Sequence, residues 1–559
     1  MKNIKYFFKK ATMKLRFAVS STFVIIILFT NCSKGPNSQA PLFDNLGYHH
    51  FPISTDSELA QKYFNQGLIL AYGFNHEEAF RSFKEVAKLD SNCAMAYWGM
   101  AIVLGPNINL PMDSSVVSTA YDAIQKAISL IDDETQREKD YIFSLSKRYS
   151  NEKLEDRLHL DSVYSNAMRE LSRKYPDDPD AATLFAESIM DLHPWDYWLK
   201  DGTPQPWTEE ILSTLEYVIE KYPDHHGANH LYIHAVEASK NPSRGLASAD
   251  KLRFLAPGAG HLVHMPSHIY IRVGNYHEGS LANKRAVESD ELYINQCNQQ
   301  GFYPISYYPH NYHFLFATAT LEGDSKTAID AAIKTSQKPP DSLLDVCGYQ
   351  TLQHFSVIPL YAYVTFGKWD EILNYAQPED KRPYSKSIWH YARAMALIAR
   401  NKLGEAEKEI TELKTLRYNK SVEELSIWGI NLAGNLVKIA YEIATGELEA
   451  KRKNYSAAIL HLRKAVELED QLRYDEPPTW FYPCRQNLGT ILIEAGKYSE
   501  AQKVYEDNLK EIPENGWGLF GLYQSMLKQN KTDEAAKVKQ RFNEAWKYSD
   551  ITLKASRIM

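Results

Sequence analysis

Histidines are concentrated in the middle of this chain: eleven of the 18 lie between His193 and His313. Residues spaced at i, i+4 and i+7 share one face of an α-helix, and the segment HLYIHAVE places His230, His234 and Glu237 at this spacing. Imidazole is the commonest metal ligand in proteins and titrates near neutral pH. The spacing therefore predicts that two imidazoles and a carboxylate converge on one side of a helix.

Two further segments extend the cluster. The segment GHLVHMPSHIYIRVG follows about thirty residues later, and PHNYHF adds another histidine pair. Nitrogen and oxygen ligation without thiolate suits zinc, copper, iron or manganese, and the cluster holds more histidines than one ion needs. It is not the H-E-x-x-H motif of zinc proteases, since Leu231 follows His230. The predicted metal ligands are His230, His234, Glu237, His264, His268 and His313.

A simpler interpretation stays open at this point. Buried histidines are often held by hydrogen bonds to carboxylates, and Glu187, Asp191, Glu237 and Asp250 lie close enough in sequence to be such partners. In that case the histidines would only line or fill a groove.

The elements that must position these histidines are helical hairpins. From Tyr63, the segment YFNQGLILAYGFNHEEAFRSFKEVAKLDSNCAMAYWG resembles the tetratricopeptide repeat (TPR). Gly67 stands twelve residues before Ala79, and Phe83 follows four residues later. Small residues let two antiparallel helices approach closely, and the aromatic residue fills the space between hairpins.

The same pattern returns near the C-terminus in NLGTILIEAGKYSEAQKVYEDNLKEIPEN, where Gly489, Ala501 and Tyr505 repeat the spacing. Weaker copies lie between these two, and no alternating stretch is long enough to predict a sheet. We therefore predict an all-α superhelical solenoid of TPR-like helix-turn-helix repeats. Its predicted divisions are a signal peptide at 1–31, a tether at 32–57, N-terminal hairpins at 58–190, a histidine-rich segment with an aromatic loop at 191–340, and C-terminal repeats at 341–559.

Two segments, Asp224 to Tyr276 and Tyr474 to Gly489, resemble a widespread group of bacterial TPR proteins. The resemblance implies the fold, and it implies that the first helix of each hairpin lines the concave surface. Several of these helices are expected to open with proline, which is preorganised for the first helical position. His268, His313 and Arg485 would then project from first turns into one groove. The prolines in question are Pro266, Pro309, Pro359 and Pro483.

Two aromatic, proline-rich segments interrupt the repeats: DLHPWDYWLKDGTPQPWTEE, which begins at Asp191, and DEPPTWFYPCR, which begins at Asp475. Long loops in a compact array tend to be functional or disordered, and an arginine fork suits bidentate recognition of a carboxylate. The alternatives are a loop that plugs the groove and a proline-stiffened interhelix turn. The predicted ligand-binding residues are Trp195, Trp198, His310, Trp480, Tyr482 and Arg485.

The N-terminus has the order of an export signal. Basic residues precede the apolar run FAVSSTFVIIILFT, and either Met1 or Met13 could be the start. The end of the run resembles a bacterial lipobox, with Cys32 as the lipidated residue and Asn31 where that motif has a small residue. An uncleaved anchor is the alternative. The pattern predicts a lipid-anchored protein of the cell envelope, at the periplasmic face or in the outer membrane.

Composition excludes several classes of function. The net charge is −7, and without a basic stripe we predict no nucleic-acid partner. The sequence has no Ser-His-Asp motif and no glycine-rich phosphate loop. We therefore predict a membrane-tethered TPR scaffold whose concave groove binds a peptide, a protein or a small ligand. The alternative is a metal-dependent enzyme that uses the histidine cluster.

Overall fold

The computed structural model describes residues 40–152, 154, 156–297 and 302–559. The predicted signal peptide and Cys32 lie outside these residues. Residues 40–57 differ from the predicted tether, because Ala40, Leu46 and Phe51 are buried against the helices that follow. Among the described helices, none is both long and apolar enough to span a bilayer.

The described chain is all-α, as predicted, apart from one two-stranded hairpin, β1 (Ser426–Ile427) and β2 (Asn431–Leu432). Most of its helices pack against the next helix along the chain. The first fourteen are α1 (Glu58–Tyr72), α2 (His76–Leu89), α3 (Ala94–Ile102), α4 (Val117–Ser129), α5 (Gln136–Ser146), α6 (Leu158–Lys174), α7 (Pro179–Leu192), α8 (Thr208–Lys221), α9 (His226–Glu237), α10 (Leu246–Leu255), α11 (Gly260–His264), α12 (Pro266–Val273), α13 (Tyr276–Cys297) and α14 (Phe302–Ile305).

The second half of the array has the same organisation, and residues Ala40–Met559 together form one compact unit. The remaining helices are α15 (Tyr307–Glu322), α16 (Ser325–Gln337), α17 (Gln353–Thr365), α18 (Trp369–Leu373), α19 (Pro383–Ala399), α20 (Leu403–Leu416), α21 (Lys420–Glu424), α22 (Ala433–Lys451), α23 (Tyr455–Glu469), α24 (Cys484–Glu494), α25 (Tyr498–Glu511), α26 (Gly516–Leu527) and α27 (Thr532–Ala545).

The glycine-aromatic pattern of the sequence is the packing unit between hairpins. A Cβ atom built on Gly489 would lie 2.4 Å from Cζ of Tyr505, and one built on Gly521 would lie 2.2 Å from the same atom. Tyr505 is thus wedged between α24 and α26. Phe83 occupies the same place between Gly67 and Gly99. The predicted repeat spacing therefore sets how closely consecutive hairpins stack.

This close packing predicts the effect of added bulk. We expect Gly489→Leu to lower the free energy of unfolding by about 1–3 kcal/mol, because the new side chain must displace Tyr505. Gly404→Leu is the matched control, since nothing lies within 4 Å of a Cβ atom at this exposed helical position. Urea denaturation followed by circular dichroism measures both variants. Equal midpoints would contradict the packing argument.

Prolines place some helix starts as predicted but not all. Pro266 is the first residue of α12, and Pro483 is the residue that caps α24. Pro309 is the third residue of α15. The prediction is wrong for Pro359, which lies inside α17, because that helix has already begun six residues earlier at Gln353.

The middle and the end of the array touch each other. The indole N–H of Trp517 donates a hydrogen bond of 2.9 Å to the carbonyl of Thr320, and the hydroxyl of Tyr276 donates to the carbonyl of Pro513. The Tyr474 hydroxyl, which precedes α24, lies 3.0 Å from Oε2 of Glu237 at the end of α9. These contacts enclose the histidine-rich segment within the array.

Candidate metal centres

Three histidines from two helices form the first centre, called triad 1: His230, His234 and His261. Helix α9 carries the first two at i and i+4, and the short helix α11 carries the third. Each offers one ring nitrogen, and these nitrogens lie within 4.8 Å of one another. All three side chains are buried.

Triad 2 repeats this arrangement with His264, His268 and His310. The first two are again an i, i+4 pair, although α11 ends at His264 and α12 begins at Pro266. Helix α15 supplies His310, and the three ligand nitrogens again lie within 4.8 Å of one another. The triads are adjacent, with 5.3 Å between the ring centroids of His234 and His268.

One buried carboxylate joins the two triads. The Nδ1–H of His234 donates to Oε1 of Glu237 at 2.7 Å, and that of His268 donates to Oε2 at 2.6 Å. Burial alone would raise the pKa of Glu237, but the neighbouring His268 and His234 hold it well below its usual range. An ionised carboxylate only accepts hydrogen bonds, so it fixes the tautomer of both rings. This is how proteins commonly orient metal-binding histidines.

Two more rings are oriented in the same way. His230 donates from Nδ1 to the carbonyl of Tyr72 at 2.5 Å. His264 donates from Nδ1 to Oδ1 of Asn283 at 2.6 Å, and the amide of Asn283 is itself fixed because it donates to the carbonyl of Gly279. Four of the six histidines therefore carry their proton on Nδ1, which leaves Nε2 as the nitrogen with a free lone pair.

Because His264 and His268 both carry their proton on Nδ1, the contact between their Nε2 atoms needs an explanation. The Nε2 atoms of His264 and His268 face each other at 2.8 Å. Two lone pairs at this distance repel unless a proton or a metal ion lies between them. Two nitrogens that bind one ion at about 2.0–2.1 Å are about 2.9 Å apart at the right angle of a square-planar copper(II) site and about 3.3 Å apart at the tetrahedral angle of zinc. The contact therefore has the spacing of two ligands of one ion.

Triad 1 has unused nitrogens. Within the described chain, Nε2 of His230, Nε2 of His234 and both ring nitrogens of His261 are buried without a hydrogen-bond partner. Buried polar atoms normally have partners, so three such rings in one place need an explanation. Burial lowers the pKa of all three rings, which keeps them neutral and able to bind a metal ion at pH 7.

A third cluster, His49, Asp180 and His225, has metal-like spacing but a different tautomer. The backbone N–H of Ala228 donates to Nδ1 of His225 at 3.0 Å. The proton of that ring is therefore on Nε2, which lies 3.2 Å from Oδ1 of Asp180. A protonated nitrogen cannot bind a metal ion, so a hydrogen-bond network accounts for this cluster.

The structure brings together five of the six predicted ligands, with Glu237 as the residue that orients two of them. His313 joins neither triad, and its ring lies 5.5 Å from that of His354. It follows His310 by three residues on α15, but its ring packs instead against Phe316 and Phe355. Sequence reasoning left out His261 as a ligand and assigned His310 to another role. The spacing of His261 before His264 was the available signal.

The carboxylates proposed for the simpler interpretation are mostly engaged elsewhere. Asp191 accepts a hydrogen bond from Arg148 at 2.6 Å, and Asp250 accepts one from Tyr270 at 2.5 Å. Of the four candidates, Glu237 alone contacts triad histidines in the described structure.

The triads open onto a cavity of about 510 Å³, the central cavity. It is lined by histidines of both triads, by the connection before α17, by the residues around β1 and by Trp195 and His310, two of the predicted ligand-binding residues. Its other lining residues include Asn109, Phe302, Tyr307, Tyr349, Phe355, Glu424, Trp428, Asp475 and Glu476.

The other predicted ligand-binding residues lie elsewhere. Trp198, Trp480 and Arg485 border a neighbouring cavity of about 570 Å³. Arg485 already forms a two-pronged ion pair with Asp470, with both distances 2.8 Å. The Tyr482 hydroxyl donates to the carbonyl of Ser556, and this side chain is buried in the core. The guanidinium fork and this hydroxyl therefore have partners within the chain.

Buried carboxyls give the metal-free protein a pH dependence. Burial raises the pKa of Glu187 and of Glu476 to about 8. The folded protein then holds protons that the unfolded chain has lost, so stability falls as pH rises from 6.5 to 8.5. We expect each group to contribute up to about 2 kcal/mol to this loss. Denaturation in EDTA at the two pH values measures it, and Glu187→Gln should show a smaller loss. A variant with the same pH dependence as the wild type would contradict the assignment.

Comparison with known proteins identifies no family for this chain. No protein-family model matches the chain, and no curated protein matches it in sequence. Among solved structures, human IFIT1 in a dimer with m7Gppp-AAAA is similar at 12% identity and a TM-score of 0.29, over 88% of this chain and 91% of that one. Yeast Tom70 is similar at 12% identity and a TM-score of 0.28, over 87% and 91%. Similarities of this size do not indicate a ligand for this chain.

Proposed function

We propose that this protein is a helical-repeat scaffold that binds two transition-metal ions, one at each histidine triad. The observation that carries the proposal is the 2.8 Å contact between the Nε2 atoms of His264 and His268, whose Nδ1 protons are both donated elsewhere. Triad 1 supports it with unpartnered nitrogens on three neutral rings.

The ligand set narrows the choice of metal. Each triad offers three imidazoles and no thiolate, and the carboxylate of Glu237 is used by two Nδ1 protons. Imidazole suits copper, zinc and iron, but non-haem iron sites typically add a carboxylate ligand, and manganese prefers carboxylate and water ligands. We therefore propose copper or zinc, with three protein ligands and an open position facing the central cavity.

Elemental analysis tests the proposal directly. Protein purified without an affinity tag, loaded with copper or zinc and dialysed, should retain two ions per chain. His268→Ala and His230→Ala should each retain one, and the double variant none. His49→Ala is the matched control, because the third cluster is proposed to hold no ion, and it should retain two. No retained metal would show that a proton occupies the His264–His268 contact. Two ions in the double variant would show that the ions bind elsewhere.

We also propose that the protein is exported and lipid-anchored through Cys32. The order of basic residues, apolar run and cysteine in the first 32 residues supports this. A labelled fatty acid should be incorporated into the wild type and not into Cys32→Ala. Unlabelled wild-type protein in the cytoplasm of the producing bacterium would contradict it.

A further inference from the structure

Histidines from both triads line the central cavity. His234 and His261 reach it from triad 1, and His268 and His310 reach it from triad 2. A volume of about 510 Å³ is within the range of cavities that hold a small organic molecule. A molecule bound there would contact both centres at once.

The rest of the cavity wall is rich in aromatic rings. The rings of Phe355 and Trp428 are 4.8 Å apart, and those of Phe302 and Tyr307 are 5.9 Å apart. Ring faces and edges bind other rings in stacked or edge-on contacts. The aromatic lining residues are Trp195, Phe302, Tyr307, Tyr349, Phe355 and Trp428.

Two tryptophans reach the cavity from unusual backbone conformations. Trp195 has φ of 59° and Trp428 has φ of 53°, in the left-handed region that bulky residues rarely adopt. Side-chain hydrogen bonds hold both in place: the Trp195 indole donates to Asn109 at 3.2 Å, and the backbone N–H of Trp428 donates to Oγ1 of Thr351 at 2.9 Å. Strained residues that are held in this way are concentrated at ligand sites.

The wall also carries three acidic side chains, Glu424, Asp475 and Glu476, and no basic Lys or Arg is among its described lining residues. Glu476 is 8% exposed, and its Oε2 has no hydrogen-bond partner in the described structure. Its other oxygen lies 2.9 Å from the hydroxyl of Tyr474. Such a wall gives a ligand carboxylate no cationic side chain to pair with among the described lining residues.

We propose that the central cavity binds a small phenolic molecule, with its ring among the aromatic side chains and its oxygen directed at the histidine centres. The phenol releases its O–H proton to the solvent, and its phenolate oxygen would be held by copper(II) at a triad. This rests on the proposed function, because the oxygen needs the metal ion as its partner.

The test uses full-length, copper(II)-loaded protein and three probes of similar size. We expect 4-methylphenol to bind at least about tenfold more tightly than 4-methylcyclohexanol or 4-methylbenzoate by calorimetry, and to produce a new visible absorption band. Equal binding of the phenol and the cyclohexanol, or no visible change on saturation, would overturn the proposal.

Substitutions in the wall of the central cavity test whether the phenol binds there. Trp428→Leu and Tyr349→Leu should each weaken phenol binding about tenfold and leave the copper content unchanged. Tyr418→Leu is the matched control, since Tyr418 is 64% exposed and does not line the cavity. Unchanged affinity in both wall variants would overturn the proposal. Protein that keeps two copper ions but binds no phenol overturns this inference alone, whereas protein without bound copper overturns the proposed function as well.

Discussion

Loading with zinc should stabilise this protein by about 5 kcal/mol when free zinc is 100 times the dissociation constant, because each of two sites then contributes about 2.7 kcal/mol. With an unfolding entropy of about 2.1 cal/mol/K per residue, the melting temperature should rise by about 5 °C for a chain of this length. Differential scanning calorimetry at fixed zinc and in EDTA measures the difference.

Single and double variants show how much each triad contributes to the rise in melting temperature. His268→Ala should lose about half of the shift, and the double variant His230→Ala/His268→Ala should melt at the same temperature with zinc and with EDTA. His49→Ala should keep the whole shift. A double variant that is still stabilised by zinc would mean that the ion binds elsewhere.

Much of the fold could be predicted from the sequence because its signals are local. The spacing of Gly489 and Tyr505 shows where one helix meets the next, and a wedge of this kind acts between neighbours in sequence. At Pro359 the local signal predicted the wrong start for a helix. A proline is favourable at a helix start, but its position relative to that start depends on packing, and α17 begins before it.

The site was only partly predictable for a related reason. Spacing shows that His230 and His234 share a helix face, and that His264 and His268 can do so. It does not show that His261 turns toward the first pair while its neighbour His264 joins the second. That division depends on tertiary packing, in which α11 contacts α15 and α12 contacts α9. The structure therefore has two histidine triads where the sequence predicted one metal site.

The hydrogen-bond partners of the rings were beyond sequence reasoning altogether. Tyr72 acts through its backbone carbonyl, which has no sequence signature, and Tyr474 reaches Glu237 from 237 residues away. Of these partners, Glu237 is the one that the helical spacing did identify, although as a ligand and not as the group that orients two ligands.

Glu237→Gln should therefore weaken metal binding without removing any ligand nitrogen. A glutamine side chain has one oxygen and one NH₂ group, so it can accept the Nδ1 proton of His234 or of His268 but not of both. The ring that loses its acceptor becomes free to rotate or to change tautomer. Loss of such a partner typically costs 10–100-fold in metal affinity, and we expect a loss of this size at one centre or at both.

Competition with a coloured chelator measures the two affinities, and elemental analysis at saturating metal should still give two ions per chain. Glu322→Gln is the matched control, because Glu322 is also buried, at 3% exposure, and accepts a hydrogen bond from Ser280 outside the triads. Its metal affinities should equal those of the wild type. If Glu237→Gln also bound both ions with wild-type affinity, the carboxylate would not be what orients the two triads, and the tautomers of His234 and His268 would have to be fixed by the metal ions themselves.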